Sequence, residues 1–390
     1  MSKTKVEIDK LKERADLYIK KRNDFYPKEE RLYTRQEASD YLAINKVTLD
    51  SYVKNLGFDV KSREGMLWSM SISELYEFES QLPDNLKKHE HFKRKPNQKC
   101  QVVMFQNQKG GVGKTVSAAT VASCLSAEFP EKLRIGLIDL DGQSTLSMYY
   151  AANAQRDGEF SVGDIVRGNY ELDEGETFEG LVKEAFLKTT IPNLKILPAL
   201  QADRSLEGWF HRVQSDLDNP YGLVKNIVNA VEDEFDIIIL DTPPSLSFMT
   251  YNGYFAATSI IFPLAANEND IDATCNYFAN LPEVWALLEQ YGHPGYDFMR
   301  LMVTNYRQTV SNTSLMNQLN RSFGEWMYPT QFKHSEAVQL CTSMMNTVFD
   351  LAASEYPKAK KTLNDARTNA FEVASQIYRD IDNVWGANNG

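Results

Sequence analysis

The sequence predicts two unequal parts: an α/β domain built on a doubly wound, mostly parallel sheet, preceded by a smaller α-helical domain containing a winged helix-turn-helix. Three observations carry this expectation. Beyond residue 100, six short runs rich in Val, Ile and Leu are separated by stretches long enough for helices. Residues 31–70 carry two helix-start signals in close succession, and the charged segment KKHEHFKRKPNQK, 87–99, has almost nothing to bury and separates the two patterns as a linker.

Composition bounds the rest. A chain of 390 residues with 43% hydrophobic and 24% charged residues can bury a substantial core. No apolar run approaches the roughly 18 to 20 residues of a membrane span, and the first residues, MSKTKVEIDKLKERAD, lack the apolar stretch of a secretory signal. A soluble, cytoplasmic protein is expected. The four cysteines are far apart and form no C-x-x-C pair, so zinc and iron–sulfur spacing is absent, and the five histidines read as surface or incidental. The net charge of −11 conceals an asymmetry: residues 1–99 hold 21 of the 42 Lys and Arg but only 17 of the 53 Asp and Glu. A basic front quarter joined to an acidic remainder suggests a module facing nucleic acid.

In residues 1–30, Ile8, Leu11, Ala15 and Ile19 recur at helical spacing, with charged residues between them. This amphipathic helix must cover its stripe either on its own domain or on the same helix of a second subunit. In the next domain, 31–86, Thr34 and Glu37 form a capping-box start. After a short link, Asn45 caps a second helix that Gly57 ends. Leu49, Tyr52, Val53 and Leu56 take core spacing there, which leaves Lys46, Thr48, Ser51 and Lys54 outward. Two short helices with a tight turn make a helix-turn-helix whose second helix enters the DNA major groove, so Asn45, Lys46, Thr48, Ser51 and Lys54 are the candidate DNA contacts. Residues 58–70 have hairpin character around Arg63-Glu64-Gly65 and would add a basic wing.

In the domain 100–390, the runs QVVMF (101–105), RIGLI (134–138), LKILP (194–198), DIIIL (236–240), SIIFPL (259–264) and RLMV (300–303) read as strands buried on both faces. The first of them is followed by QNQKGGVGKT and then by a helical stretch. Strand, Gly-rich turn and helix in that order form a phosphate loop, in which backbone N–H groups and the positive helix end converge on an anion. Gly110, Gly111, Val112, Gly113, Lys114, Thr115 and Val116 are the expected nucleotide-binding residues, Lys114 adding charge at the outer phosphates and Thr115 a hydroxyl for Mg²⁺. The α/β part is therefore expected to be a P-loop domain taking a nucleoside triphosphate with Mg²⁺. Asp241, closing the run 236–240, stands where a Walker B carboxylate supports the metal. Asp139 and Asp141, two apart at the end of another strand, share a face and can address the same pocket.

The motifs K-G-G-V-G-K-T (109–115), D-L-D-G-Q-S-T (139–145) and I-I-I-L-D-T-P-P (237–244) strongly resemble those of the ParA-type partition ATPases, a branch of the deviant Walker A group. The helical front domain is similar to that of the larger members, which bind an operator and repress their own genes. The resemblance implies that Lys109 crosses an ATP-sandwich homodimer to the partner's nucleotide, that Asp141 orients the attacking water, and that Thr115, Asp139 and Asp241 serve the metal region. It also implies ATP-dependent binding to non-specific DNA through late basic residues. Here those are Arg307, Lys333, Lys360 and Lys361, with Lys358 and Arg367 completing a basic patch on a helix. A ParB-like centromere-binding partner and a cytoplasmic, nucleoid-associated location follow from it, with higher assemblies on DNA left open, and the acidic, polar segment QIYRDIDNVWGANNG, unlike a basic amphipathic helix, predicts no membrane contact. The competing class is a nucleotide-controlled transcriptional repressor without a partition role. Gly142 departs from the proline usual in the second motif.

Overall fold

The computed structural model describes residues 3–25, 28–60, 67–88 and 94–387. Nine strands form two sheets among them. The large sheet comprises β3 (Gln101–Phe105), β4 (Ile135–Asp139), β5 (Leu187–Lys188), β6 (Leu194–Leu197), β7 (Ile237–Asp241), β8 (Ser259–Ala265) and β9 (Phe298–Thr304) in the order β5-β6-β4-β7-β3-β8-β9. All neighbours pair parallel except the two-residue edge strand β5, which is antiparallel to β6. All six expected strands are present. Residues of β3, β4 and β7 are buried throughout, which requires helices on both faces of the sheet. Two apolar cores, one on each face, meet that requirement.

Strand β3 lies between β7 and β8, so the chain leaves it to one side for β4 and later adds β8 on the other. The turn after β3 thus opens at the point where strand order reverses, the position at which open α/β sheets bind ligands. It leads into a 14-residue helix buried along nearly its whole length, Lys114–Ala127.

In the front domain, α1 (Lys3–Phe25) precedes β1 (Leu32–Thr34), α2 (Arg35–Tyr41), α3 (Lys46–Leu56), β2 (Ser69–Ser71) and α4 (Ile72–Ser80); β1 and β2 pair antiparallel. The helix-start chemistry takes the expected form. Thr34 Oγ1 accepts from the Glu37 N–H while Glu37 accepts from the Thr34 N–H, Asn45 Oδ1 accepts from the Thr48 N–H, and Gly57 closes α3 in the left-handed region at φ 74°. The hairpin expected around Arg63-Glu64-Gly65 falls on 61–66, outside the described residues. Along α1, Ile8 is 59% and Leu11 71% exposed. Among the described residues nothing covers this outer part of the stripe, while Ile19 further along the helix is half-buried.

The front domain shares a continuous apolar core with the α/β domain: Leu42, Leu49, Leu75 and Phe78 belong to the cluster that contains the long helix after β3. Its polar contacts converge on the far end of that helix, which we label α5. Arg31 bridges Glu128 (2.8 Å) and Glu37 (3.1 Å), and Lys132 meets Glu79 at 2.7 Å with both side chains at most 5% exposed. The Tyr76 hydroxyl donates to the Ser126 carbonyl.

Candidate active site

The phosphate loop depends on two left-handed glycines. Gly111 (φ 80°) and Gly113 (φ 86°) adopt backbone that a side chain disfavours, and Gly113 is the N-cap of α5 with no side-chain cap. The first N–H groups of α5 are thus left for an external acceptor, the arrangement that binds phosphate. Thr304, at the end of β9, fastens the loop by donating to the Val112 carbonyl at 2.7 Å. Lys114 is 7% exposed and reaches back to the Lys109 carbonyl at 3.4 Å. Burial lowers its pKa, partly offset by Asp241 and Asp141.

The three expected carboxylates differ in their engagements. Asp139 is saturated from within: Oδ1 accepts from the Asp141 N–H (3.1 Å), and Oδ2 accepts from the Ser147 N–H (2.9 Å) and hydroxyl (2.7 Å). It fixes the loop that carries Asp141. Asp141 in turn takes the Gln143 N–H on Oδ1 at 2.9 Å. Asp241 is fully buried, and among the described residues neither carboxylate oxygen has a hydrogen-bonded partner of good geometry, although the Thr115 hydroxyl is close enough to favour its charged form. Burial and then the neighbouring Asp139 push its pKa well above the ordinary carboxylate range. Such a cost is unusual unless a cation completes the site. Asp241 and the Thr115 hydroxyl, beside a phosphate-binding turn, fit Mg²⁺, which keeps water and phosphate oxygens as its other ligands. Among the described residues no cluster of three His, Cys, Asp or Glu forms an all-protein metal cage.

Lys109 is paired in this chain with Asp270 at 3.3 Å, and Asp270 is clasped from its other side by the Asn267 amide at 2.6 Å. This partner lies 161 residues away on the helix Glu268–Phe278, beyond the reach of any local motif. A cavity of about 370 Å³ adjoins the loop, lined by Gly111, Val112, Gly113, Val116, Ser117 and Thr120 and, from distant segments, by Thr304, Asn305, Phe332, Lys333 and His334. It has the polar and apolar lining that a nucleoside needs.

The remaining candidates separate by exposure. Asn45, Lys46, Ser51 and Lys54 are exposed and Thr48 half-buried on one side of α3; Lys360 and Lys361 are exposed at the start of the helix Lys360–Ala387, and Lys358 pairs with Glu336. Lys333 lines the nucleoside-sized cavity, and Arg307 donates to His334 in the same wall at 2.9 Å. Two readings need correction. Arg367 is not part of the exposed patch: it donates to the Val348 and Leu351 carbonyls and faces Glu37, because it falls on the buried face with Leu363, Ala366 and Ala370. Nor are all histidines incidental, since His334 lines the cavity and His293 is buried against the Ala257 carbonyl.

The comparisons agree with this geometry. The family model described as AAA domain matches residues 100–281. The chain is similar to the chromosome-partitioning ATPase Soj of Thermus thermophilus, 30% identical over 234 residues that cover 60% of this chain and 80% of that protein. It is also similar to plasmid partition protein A of Escherichia coli, 24% identical over 302 residues covering 72% of this chain and 71% of that one. A solved structure described as a partition protein shares the fold at a TM-score of 0.65 and 18% identity, covering 97% of this chain and 98% of its own. With a phosphate loop at the strand-order switch, an uncompensated Asp241 beside it and a Soj relative matched over most of its length, the chain belongs to the ParA/Soj family of partition P-loop ATPases.

Proposed function

We propose that this protein is a Mg-ATP-dependent DNA-segregation ATPase that dimerises with ATP, binds non-specific DNA in that state, and is stimulated by a ParB-like centromere-binding partner. The observation that carries the reading is the pairing of an open α5 N-terminus with the unpartnered Asp241 carboxylate. The loop N–H groups and Lys114 hold the phosphates, while Thr115 and Asp241 hold the metal. When bound, Mg²⁺ supplies the charge that neutralises the outer phosphates. Asp141, fixed by Asp139 and by the Gln143 N–H, orients the attacking water. Lys109 leaves Asp270 to serve a partner subunit's nucleotide, as an arginine finger does.

The exposed side of α3 supports operator binding and autorepression by the front domain, and the uncovered stripe of α1 supports a contact with the same helix of a second subunit. The test is binding of the full chain to random and upstream-promoter DNA with ADP, with ATP and without nucleotide, alongside hydrolysis with and without DNA. ATP-dependent binding to random DNA together with DNA-stimulated turnover is expected. Promoter binding alone, with no ATP-dependent random binding, would replace this reading with that of a nucleotide-controlled repressor.

A further inference from the structure

We propose that Arg204 is a positioning residue for hydrolysis, clasping the Asp141 loop from its outer side; this rests on the reading of Asp141 as the water-orienting group. The guanidinium spans two acceptors in consecutive residues: Nε donates to the Gly142 carbonyl at 3.1 Å and Nη2 to Gln143 Oε1 at 3.0 Å. On its inner side the same loop is tied by Asp141 itself, through the Gln143 N–H at 2.9 Å and the Ser144 N–H at 2.7 Å. Ser144, a non-glycine residue, sits in the left-handed region at φ 58°. A strained turn of this kind keeps its shape only when its surroundings hold it.

The platform beneath Arg204 is fixed. Arg204 lies in the turn Gln201–Ser205, and its neighbour Asp203, 5% exposed, accepts from the Ser161 hydroxyl (3.0 Å), the Leu200 N–H (2.9 Å) and Arg167 (3.3 Å). Gly142 is matched to that platform. A Cβ placed on it would stand 3.0 Å from the Arg204 backbone nitrogen and 3.3 Å from its Cα, so a side chain there needs the loop or the turn to give by a few tenths of an ångström. Glycine at this position accommodates the close approach of the Arg204 backbone without that adjustment, and the guanidinium folds over the loop from that contact. Planar, two-acceptor bonding of this kind is what arginine offers and lysine does not.

Both bonds are solvent-exposed and contribute little to global stability, so the effect is read at the loop and in turnover. The test uses the full chain with Arg204→Ala, Arg204→Lys, Gln143→Ala and the Arg204→Ala/Gln143→Ala double variant. Amide exchange at Gln143 and Ser144 should rise about tenfold in Arg204→Ala while the melting midpoint stays unchanged. With Mg-ATP, kcat should fall roughly 10- to 100-fold at unchanged KM, the signature of lost alignment rather than lost binding. Arg204→Lys should share the defect, and the double variant should be no slower than the slower single variant, since the two side chains act as one unit. Unchanged exchange in Arg204→Ala overturns the clasp, and unchanged kcat, or a raised KM at constant kcat, overturns the positioning role. If the unsubstituted protein fails to hydrolyse ATP, the ATPase reading falls, while the exchange measurement still decides whether Arg204 holds the loop.

Discussion

Asp241→Asn should make the nucleotide-free protein more stable while depriving it of Mg-nucleotide binding. The side chain is fully buried and neither oxygen has a hydrogen-bonded partner of good geometry. The groups acting on its charge are burial and Asp139 and Asp141, which oppose ionisation, against Thr115 and Lys114, which favour it, with a pKa raised on balance. An unsatisfied buried polar group costs about 1–3 kcal/mol, and more when charged. Isosteric neutralisation should therefore stabilise the empty site by about 1–3 kcal/mol. The sign with pH follows from linkage. A carboxyl whose folded pKa lies above its unfolded value takes up its proton in the folded state first, so the penalty is greatest above the folded pKa and fades as pH falls toward the ordinary carboxylate range. Urea titrations of both proteins between pH 5 and 8 should show the gap narrowing on the acid side. With a non-hydrolysable ATP analogue and Mg²⁺ at 100 times Kd, the unsubstituted protein should gain about 2.7 kcal/mol and the variant little. A variant less stable than its parent without nucleotide, or one given the same increment by Mg-nucleotide, would refute the assignment of Asp241 to the metal.

Further substitutions examine other parts of the molecule. Asp141→Ala should retain ATP binding and ATP-dependent dimerisation while turnover drops about 10²- to 10⁴-fold, whereas Lys109→Ala should lose turnover and dimerise more weakly; single-turnover hydrolysis and sedimentation separate the two. Lys132→Met leaves Glu79 charged and buried where the front domain meets α5, and denaturation should reveal a loss of about 3–5 kcal/mol, less when Glu79→Gln accompanies it. Lys46→Glu with Lys54→Glu, both exposed on α3, should abolish promoter preference and leave ATP-dependent binding to random DNA intact, and fluorescence anisotropy at two salt concentrations should show the steep salt dependence of phosphate contacts.

The strands beyond residue 100 were legible because burial on both faces leaves an unbroken Val/Ile/Leu run, and the phosphate loop because three glycines and a lysine between strand and helix have few other uses. Strand β5 was not legible: two residues, Leu187 and Lys188, make no pattern, and their pairing exists only because β6 has a free edge. The pairing of β1 with β2 joins two three-residue segments across α2 and α3, again without local periodicity. The wall formed by Thr304, Asn305, Phe332 and His334 was hidden because it is assembled about 200 residues after the loop it faces, from residue types common everywhere. Arg367 shows the converse failure. A basic run reads as one surface, yet helical phase turns Arg367 inward while Lys360 and Lys361 stay outside. Asp139 was found by spacing, but its engagement with Ser147 was not, so its part in holding Asp141 emerged only from the fold.

The charges around α5 explain why a site of this composition suits regulation by nucleotide. The charged groups acting on Asp241 are Asp139 and Asp141 on one side and Lys114 on the other, and Lys114 is itself partly desolvated. The cradle within a single chain is thus short of positive charge, even before a polyanionic nucleotide enters it. Lys109, adjacent in sequence to the loop, does not correct this, because its ammonium is engaged by Asp270. The lysine of that pair is 40% exposed and Asp270 15%, and a pair open to solvent on its cationic side is worth on the order of 1 kcal/mol. Breaking it therefore costs little compared with the charge-assisted contacts a phosphate offers. A site that is short of cations when alone and keeps a loosely held lysine beside its mouth gains most when a metal, a nucleotide and a second chain arrive together. This coupling makes nucleotide binding and dimerisation one event in the proposed cycle.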